Sequence, residues 1–300
     1  MKDQLKQFAY APSVYWKHGR FTPDATKLGP GKADVSANPY DQRAYKQLVM
    51  DTARGRESTP MQFWREHAKT HRSATMLDIG ANYGECLFNP IYQEQRCLAV
   101  EANPGLCEYL TRSRNAHQHA NSITIENALL GSQEANDVPF YFSPKWTGGG
   151  SGVAPKNEDT SNLDVVYVKE RTLDSILADY DVDVANPLIF KMDVEGFEAK
   201  VFQGFQCLKN FSQRIGILEF DTQMIARSGE SAEQLFLELQ KSHQVFLTSL
   251  RSRQLQTIDS WQDLTARFGG EFHCDLIIAS SNELFAPGWI PAPNSLAKAG

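Results

Sequence analysis

Long apolar runs are missing from this chain of 300 residues. No segment approaches the roughly 18 uninterrupted apolar residues of a transmembrane helix. The opening stretch Met1–Gln7 lacks the apolar core that follows the lysines of a secretory signal. With 41% hydrophobic and 22% charged residues, the composition is typical of a globular protein and excludes collagen-like, coiled-coil and disordered classes. We therefore expect one large domain, or a core domain with an appendage, and no membrane span.

Cysteine is scarce and never paired as Cys-x-x-Cys. The five cysteines are Cys86, Cys97, Cys107, Cys207 and Cys274. An odd number without close pairs argues against a disulfide framework or a zinc ribbon and favours a reducing compartment. We expect a cytoplasmic protein.

Charge is unevenly spread. The chain has 30 basic and 36 acidic residues, of which 13 basic and 7 acidic residues fall within residues 1–74. The acidic remainder disfavours non-specific binding to nucleic acid. The basic N-terminal stretch could attract an anionic substrate or an acidic partner, and a solvated helical face is the alternative. Its basic, aromatic N-terminal group, defined as Tyr10, Tyr15, Trp16, Lys17 and Arg20, could decide substrate choice by covering the binding site or by contacting a second copy of the chain, so a homo-oligomer is left open.

The sequence divides into three parts. Residues 1–73 predict an N-terminal extension, irregular up to residue 36 and helical from Asp41 to His71, with a break at Glu57–Pro60 that Ser58 or Thr59 could cap. Residues 74–283 alternate short apolar runs with amphipathic stretches, which predicts a mostly parallel sheet with helices on both faces. Residues 284–300 are expected to be a C-terminal tail.

The apolar runs predict the strands of the middle part. They are Thr75–Gly80, Cys97–Glu101, Ser122–Glu126, Leu188–Asp193, Ile215–Phe220, Val245–Thr248 and Asp275–Ala279. An inserted hairpin is expected at about residues 137–170. Its glycine-rich stretch, Trp146–Gly152, predicts a flexible loop that closes over the site and excludes water. Trp146 and Tyr141 could offer aromatic faces to the ring of a bound ligand, and packing within the hairpin is the equal alternative.

A glycine turn, Asp78-Ile79-Gly80-Ala81-Asn82-Tyr83-Gly84, follows the first of these strands, and Glu101 ends the next. In a parallel sheet, ligands sit beyond the carboxyl ends of the strands, where glycines let the backbone approach and an acid binds ribose hydroxyls. Both a nicotinamide dinucleotide and S-adenosylmethionine fit this arrangement. The Gly-x-Gly-x-x-Gly spacing of a dinucleotide site is absent, and Asp78 suits a cationic amino-acid moiety, so the sequence favours S-adenosylmethionine.

A second cluster is acidic. Asp193, Glu195 and Glu198 follow a predicted strand and share the sheet edge with the glycine turn. Carboxylates placed there can orient a hydroxyl, act as a general base or hold Mg²⁺. Helix capping by the same acids is the alternative, above all for Glu198.

These segments resemble the FkbM family of S-adenosylmethionine-dependent methyltransferases over roughly residues 74–280. The resemblance is carried by the glycine turn, Glu101-Ala102-Asn103-Pro104, Arg171-Thr172-Leu173-Asp174 and Lys191-Met192-Asp193-Val194-Glu195-Gly196-Phe197-Glu198. It implies an α/β, Rossmann-like, seven-stranded sheet with its last strand antiparallel. It also implies methyl transfer, mostly to an oxygen of a sugar or natural-product scaffold.

The resemblance also implies roles for individual residues. The implied cofactor-binding residues are Asp78, Gly80, Asn82 and Gly84 at the methionine part, Glu101 at the ribose, Asn127 near the adenine, Ser143 and Ser151 in a covering loop, and Asp193 near the sulfonium.

For catalysis, an unactivated hydroxyl needs positioning and a base. Asp193 or Glu195 is the expected base, and His273 is a further candidate because its ordinary pKa lies near neutrality. Glu219 and Asp221 end the strand after the acidic cluster and could also face the cleft. No histidine cluster supports a metal, so we expect a metal-free enzyme, although the acids could hold a divalent cation.

The expected partner is a small-molecule or glycan acceptor. Three alternatives stay open: a nitrogen or carbon methyltransferase of the same fold, a nicotinamide-dependent oxidoreductase, and a binding module without catalysis.

Overall fold

A computed structural model describes residues 24–52, 55–154, 162–180, 182–249 and 252–292. The strands are β1 (Ala25–Leu28), β2 (Ala33–Ser36), β3 (Thr75–Ile79), β4 (Arg96–Glu101), β5 (Ile123–Asn127), β6 (Leu129–Leu130), β7 (Ala135–Ser143), β8 (Trp146–Ser151), β9 (Asp164–Arg171), β10 (Leu188–Met192), β11 (Arg214–Asp221), β12 (Gln244–Ser249), β13 (Ser252–Ile258), β14 (His273–Ala279) and β15 (Ile290–Ala292). The α-helices are α1 (Gln42–Tyr45), α2 (Thr59–Thr70), α3 (Pro104–Ala116), α4 (Leu173–Ala178), α5 (Glu198–Gln203), α6 (Thr222–Arg227), α7 (Ala232–Gln240) and α8 (Trp261–Phe268). One turn of π-helix, Lys46–Asp51, continues α1.

The central sheet has the strand order β15-β13-β12-β14-β11-β10-β3-β4-β5. The five strands from β11 to β5 are parallel, and β14 runs antiparallel to both β11 and β12. The predicted mostly parallel α/β sheet with an antiparallel strand near the end of the chain is therefore confirmed. The sheet has nine strands in place of the expected seven, because β13 folds back on β12 and β15 pairs with β13.

The sheet lies between two hydrophobic layers. Every residue of β3 and β10 is buried, as expected for strands covered on both faces. Met76 and Ile189 pack on one side with apolar residues of α2 and α3, whereas Leu77 and Phe190 pack on the other with α4, α5 and α7. The alternation along each strand sends successive side chains to opposite layers.

The N-terminal extension is more ordered than the sequence suggests. β1 and β2 form an antiparallel hairpin within the stretch expected to be irregular, and Leu28 and Val35 are buried in the same core as the sheet. The backbone N–H of Ser36 donates to Ser113 Oγ on α3 at 2.9 Å. Ser58 caps α2 as predicted, because its Oγ accepts from the backbone N–H of Met61.

Two further expectations need correction. Trp146–Ser151 is strand β8 at the edge of a second sheet, ordered β6-β9-β7-β8, and not a loop. Residues 284–292 are not a tail, since Leu284, Ala286 and Trp289 are buried in the core. The basic, aromatic N-terminal group lies outside the described residues. None of the helices in the described ranges is long and apolar enough to cross a membrane.

Candidate active site

Three strand ends meet where the strand order reverses. The chain runs from β3 outward through β4 and β5, then returns to place β10 and β11 on the other side of β3. Gly80 follows β3, Glu101 ends β4 and Asp193 follows β10. Gly80 has a φ of 72°, and a Cβ there would lie 1.8 Å from the carbonyl oxygen of Asp193. Glycine is therefore required for the two loops to touch at this switch point, which is the ligand-binding position of such sheets.

Glu101 is held by the backbone on both oxygens. The N–H groups of Asn82 and Asn103 donate to its Oε2 and Oε1 at 2.8 Å each. Burial raises the pKa of Glu101, and these two N–H donors oppose the shift. The carboxyl group is thus fixed in one orientation, with remaining lone pairs for a further donor.

Two compartments open from this edge. The smaller, the Glu101 cavity, has both apolar and polar walls; its residues include Gly80, Asn82, Glu101, Ala128, Leu129, Phe140, Thr147, Gly148, Gly150, Asp193 and Glu195. The larger, the acidic cleft, has a volume of about 490 Å³; its residues include Arg43, Gln47, Asp78, Asn82, Glu85, Trp146, Gly148, Lys191, Asp193, Glu195, Glu219, His273 and Asp275. Asn82, Gly148, Asp193 and Glu195 line both. A molecule in one compartment would therefore meet a molecule in the other beside Asp193.

Lys191 lies between two carboxylates. Its Nζ is 3.6 Å from Asp193 Oδ2 and 3.7 Å from Asp78 Oδ1, and it donates to the carbonyl oxygen of Gly80. Burial opposes its charge, but Asp193 and Asp78 raise the pKa of Lys191 above its ordinary value. The ammonium group therefore remains charged and offsets part of the acidity of the cleft.

Asp78 is a buried carboxyl group with spare hydrogen-bonding capacity. Neither of its oxygens accepts a hydrogen bond from the described residues, and the same holds for Asn82 Oδ1. Burial raises the pKa of Asp78 to about 6, with Lys191 opposing the shift. Unsatisfied buried acceptors are costly and rare, so these atoms suit a cationic donor supplied by a ligand.

Acidic groups crowd one another on the floor of the cleft. Burial, together with the neighbouring charge of Asp193, raises the pKa of Glu195 to about 9 and that of Glu219 to about 7. Burial raises the pKa of Asp275 to about 6. At neutral pH Glu195 therefore carries a proton and can donate a hydrogen bond, but it cannot accept a proton from a substrate.

His273 stands at the rim of the cleft. Its Nε2 lies 3.1 Å from Glu219 Oε1 and its Nδ1 lies 3.4 Å from Asp221 Oδ2. The hydrogen bond to Glu219, with the charges of Glu219 and Asp221, raises the pKa of His273 to about 9 despite some burial. A protonated imidazole holds Glu219 in place and has no free lone pair for a base.

The acidic loop after β10 is held by its own neighbours. Glu198 Oε1 accepts from the backbone N–H groups of Val194 and Gly196 at 3.2 and 3.4 Å. Ser151 Oγ donates to the carbonyl oxygen of Glu195 at 2.9 Å. Glu195 itself adopts a φ of 51°, which these contacts maintain. Glu198 therefore holds the loop that precedes α5, in addition to lying in the first turn of that helix as its alternative role predicted.

Some residues that the sequence predicts to belong to the site line neither of the two compartments. Gly84, Asn127, Ser143 and Ser151 line neither compartment. Gly84 packs beneath the turn, where a Cβ would lie 2.5 Å from the ring of Phe88. The Asn127 amide donates to the carbonyl oxygens of Glu101 and Ala102, and Ser143 Oγ accepts from the N–H of Lys145 in the β7–β8 turn. Tyr141 lines neither compartment, whereas Trp146 lines the cleft.

Other wall residues were missed in the sequence. Lys191 and Asp193 are two residues apart at the end of a strand, and that spacing could have placed them on one face. Arg43 comes from a distant segment, and no local pattern brings it to the site, whereas Thr147 lies in the glycine-rich stretch expected to close over it.

The acidic floor also has the spacing of a cation site. One oxygen each from Asp193, Glu195 and Glu219 lies within 4.8 Å of the other two. Hard cations bind such oxygen sets. Part of this group is protonated at neutral pH. The expectation of a metal-free reaction stays a prediction.

The Methyltransferase FkbM domain matches residues 78–250, which is more than half of the chain and spans all three strand ends. The chain belongs to the FkbM methyltransferase family. The family match includes the glycine turn, Glu101 and the acidic loop, and it excludes the N-terminal extension with Arg43. No curated protein matches the sequence.

Solved structures resemble the FkbM chain only remotely. A methyltransferase FkbM from Methylobacillus flagellatus KT is 14% identical, with a TM-score of 0.38 over 92% of this chain and 60% of its own. The O-methyltransferase TomG from Streptomyces achromogenes, solved with S-adenosylmethionine, is 11% identical, with a TM-score of 0.39 over 92% and 99%. A methyltransferase from Aquifex aeolicus described as dependent on the same cofactor is 9% identical, with a TM-score of 0.39 over 80% and 93%. Likenesses at this level carry no information about the acceptor.

Proposed function

We propose that this chain is an S-adenosylmethionine-dependent O-methyltransferase acting on a hydroxyl group of a sugar or related polyhydroxylated molecule. The observation that carries the proposal is the shared wall of the two compartments at Asn82, Gly148, Asp193 and Glu195. A donor with its ribose in the Glu101 cavity and its amino-acid part at Asp78 in the acidic cleft would there meet an acceptor bound in the rest of the cleft.

The residues present fit the cofactor. Glu101, with both oxygens already oriented, would accept hydrogen bonds from ribose hydroxyls, as carboxylates after the second strand do in such folds. The Asp78 carboxyl group, which has Lys191 Nζ at 3.7 Å but accepts no hydrogen bond from the described residues, would take the ammonium group of the amino-acid part. When bound, S-adenosylmethionine supplies an electrophilic methyl group on a sulfonium centre.

Asp193 is the proposed base. It lies where the compartments join and its side chain is 39% exposed, so it can reach an acceptor hydroxyl in the cleft. Glu195, protonated at neutral pH, would donate a hydrogen bond to the acceptor and would not remove its proton. Lys191 would hold Asp193 in place through the ion pair between them, and positioning of the weak nucleophile supplies much of the rate.

The cleft suits a polyhydroxylated acceptor. Carboxyl groups such as Asp193, Glu195 and Asp275 can accept or donate hydrogen bonds to several hydroxyls at once. The surplus of acids also favours an amino sugar, in which the acceptor atom would be nitrogen. Both are small molecules or glycans and not nucleic acid, in keeping with a formal net charge of −6.

Transfer of labelled methyl from S-adenosylmethionine to a panel of neutral sugars, glycans and amino sugars tests the proposal. We expect a neutral polyhydroxylated acceptor to be labelled. Removing the base with Asp193→Asn should then lower turnover by about 10²–10⁴-fold and leave cofactor affinity unchanged. Glu195→Gln imitates a protonated acid, so its turnover should fall far less than that of Asp193→Asn.

Labelling of amino sugars alone would overturn the choice of oxygen as acceptor atom. Normal turnover by Asp193→Asn would overturn the choice of base.

A further inference from the structure

Asp41 is a fully buried carboxylate in the N-terminal extension, outside the stretch that matches the FkbM family. Its Oδ1 accepts from the backbone N–H of Ala44 at 3.2 Å and thereby begins α1. Its Oδ2 accepts from the hydroxyl of Tyr83 at 3.2 Å. The same oxygen accepts both the backbone N–H, at 3.2 Å, and the hydroxyl of Thr147. One buried carboxylate therefore joins the extension, the glycine turn and strand β8.

Strand β8 is held by few pairings within its own sheet. It is the edge strand of its sheet, and its pairing with β7 is regular only at Ser143–Trp146 and Tyr141–Ser151, with a shift between them. Three consecutive glycines, Gly148–Gly150, lie in this interval. Glycine adds backbone freedom, so the interval depends on contacts at its two ends.

Those two ends are fixed by different parts of the chain. Ser151 is anchored to the acidic loop through the carbonyl oxygen of Glu195, and Thr147 is anchored to Asp41. Thr147, Gly148 and Gly150 form a wall of the Glu101 cavity. Loss of the Asp41 contact would therefore release one end of that wall and leave the other in place.

A second contact joins the same two segments. The Arg43 guanidinium stacks on the Trp146 ring at 3.9 Å from its centroid, and both side chains line the acidic cleft. The extension thus contacts β8 from below at Thr147 and from the cleft at Trp146. These contacts come from residues that precede the matched domain in sequence by more than thirty positions.

We infer that Asp41 is a positioning residue of the active site, which holds Thr147 and the glycine wall of β8 against the Glu101 cavity so that the cofactor is enclosed. This inference rests on the proposed function, since it assigns the enclosed ligand to the S-adenosyl group. It also gives the N-terminal extension a role in cofactor binding, in addition to any role in acceptor selection.

The test is the dissociation constant for S-adenosylhomocysteine, measured by isothermal titration on the full chain. In Asp41→Asn an NH₂ group replaces one of the two acceptor oxygens, so either the α1 contact or the Thr147 contacts are lost. We expect its dissociation constant to rise about tenfold, as for loss of a hydrogen bond to a charged group. Thr147→Val should raise the constant several-fold. The dissociation constant of the double variant should be no higher than the higher of the two single-variant constants, because both changes break the same interaction.

Asp34→Asn is the matched control. It removes a carboxylate of the same extension, which pairs with Lys27 at an exposed position, and it leaves the Thr147 contacts intact. A merely structural Asp41 would make Asp41→Asn lower the unfolding temperature while leaving affinity alone. Under the inference, Asp41→Asn loses affinity, whereas Asp34→Asn keeps it within about twofold of the original chain.

Hydrogen exchange of the ligand-free protein gives a readout that needs no cofactor. Amides of Trp146–Ser151 should exchange about tenfold faster in Asp41→Asn and at the original rate in Asp34→Asn. Unchanged exchange in both Asp41→Asn and Thr147→Val, or unchanged affinity in both while the original chain binds, would overturn the inference. Failure of the original chain itself to bind would instead overturn the proposed function.

Discussion

Glu195 shows at the scale of one residue how burial changes the role of an acid. In the sequence Asp193 and Glu195 are equal candidates for the base, since both follow the same strand. In the structure both are half-buried, but Asp193 lies beside Lys191, whereas burial and neighbouring like charges raise the pKa of Glu195 to about 9. The sequence identifies the pair of acids, but their division of labour depends on burial and on neighbours from other strands, such as Glu219.

Glu195 should make the stability of the protein fall with rising pH. Its pKa is raised from an ordinary value of 4.5 to about 9, so the folded chain binds this proton more tightly than the unfolded chain. The stabilising contribution is fully present below pH 4.5 and is lost progressively as the pH rises through about 9. The glutamine side chain of Glu195→Gln cannot ionise, so this variant does not lose that stability as the pH rises.

Urea unfolding of both proteins between about pH 5 and pH 9 measures the difference. We expect similar free energies of unfolding at the acidic end and a growing advantage of Glu195→Gln towards pH 9. A constant difference across this range would contradict the buried, protonated state of Glu195.

Among the elements of the fold, the strands of the central sheet were the easiest to predict from the sequence. The runs that became β3, β4, β10, β11, β12 and β14 are continuous and apolar, and each was predicted within a few residues of its observed bounds. β8 was missed because Gly148–Gly150 carries no strand propensity; its neighbours β7 and Asp41 impose the extended form. β15 was missed for a similar reason, because its pairing with β13 is set by the tertiary fold.

The segment 284–292 should behave as core, contrary to the expected tail. The Trp289 ring is 3% exposed and packs edge-on against Phe63 at 5.4 Å. Trp289→Ala should therefore lower the free energy of unfolding by about 3–5 kcal/mol. Tyr167, an aromatic residue that is 69% exposed on β9, is the control, and Tyr167→Ala should cost about 0.5 kcal/mol or less.

Chemical denaturation of the two variants decides this point. Equal losses for Trp289→Ala and Tyr167→Ala would mean that residues 284–292 do not belong to the core.

At the scale of the whole molecule, one core supports parts that the sequence presents as separate. The hairpin β1–β2, helices α2 and α3 and the segment with Trp289 share a hydrophobic cluster with the central sheet. This sharing explains why the extension can deliver Asp41 and Arg43 to the site, although it lies outside the family match. Short-range motifs identified the glycine turn, Glu101 and the acidic loop. Wall residues that come from distant segments could be assigned to the site only from the folded structure.

The function proposed for this chain depends on binding of S-adenosylmethionine beside Glu101. Isothermal titration with S-adenosylmethionine and, separately, with NADH measures this binding, with Glu101→Ala as the paired variant. We predict micromolar binding of S-adenosylmethionine, no binding of NADH, and affinity at least about tenfold weaker in Glu101→Ala, because charged hydrogen bonds to the ribose are lost. Binding of NADH in place of S-adenosylmethionine, or unchanged affinity in Glu101→Ala, would show that Glu101 does not bind the ribose of this cofactor.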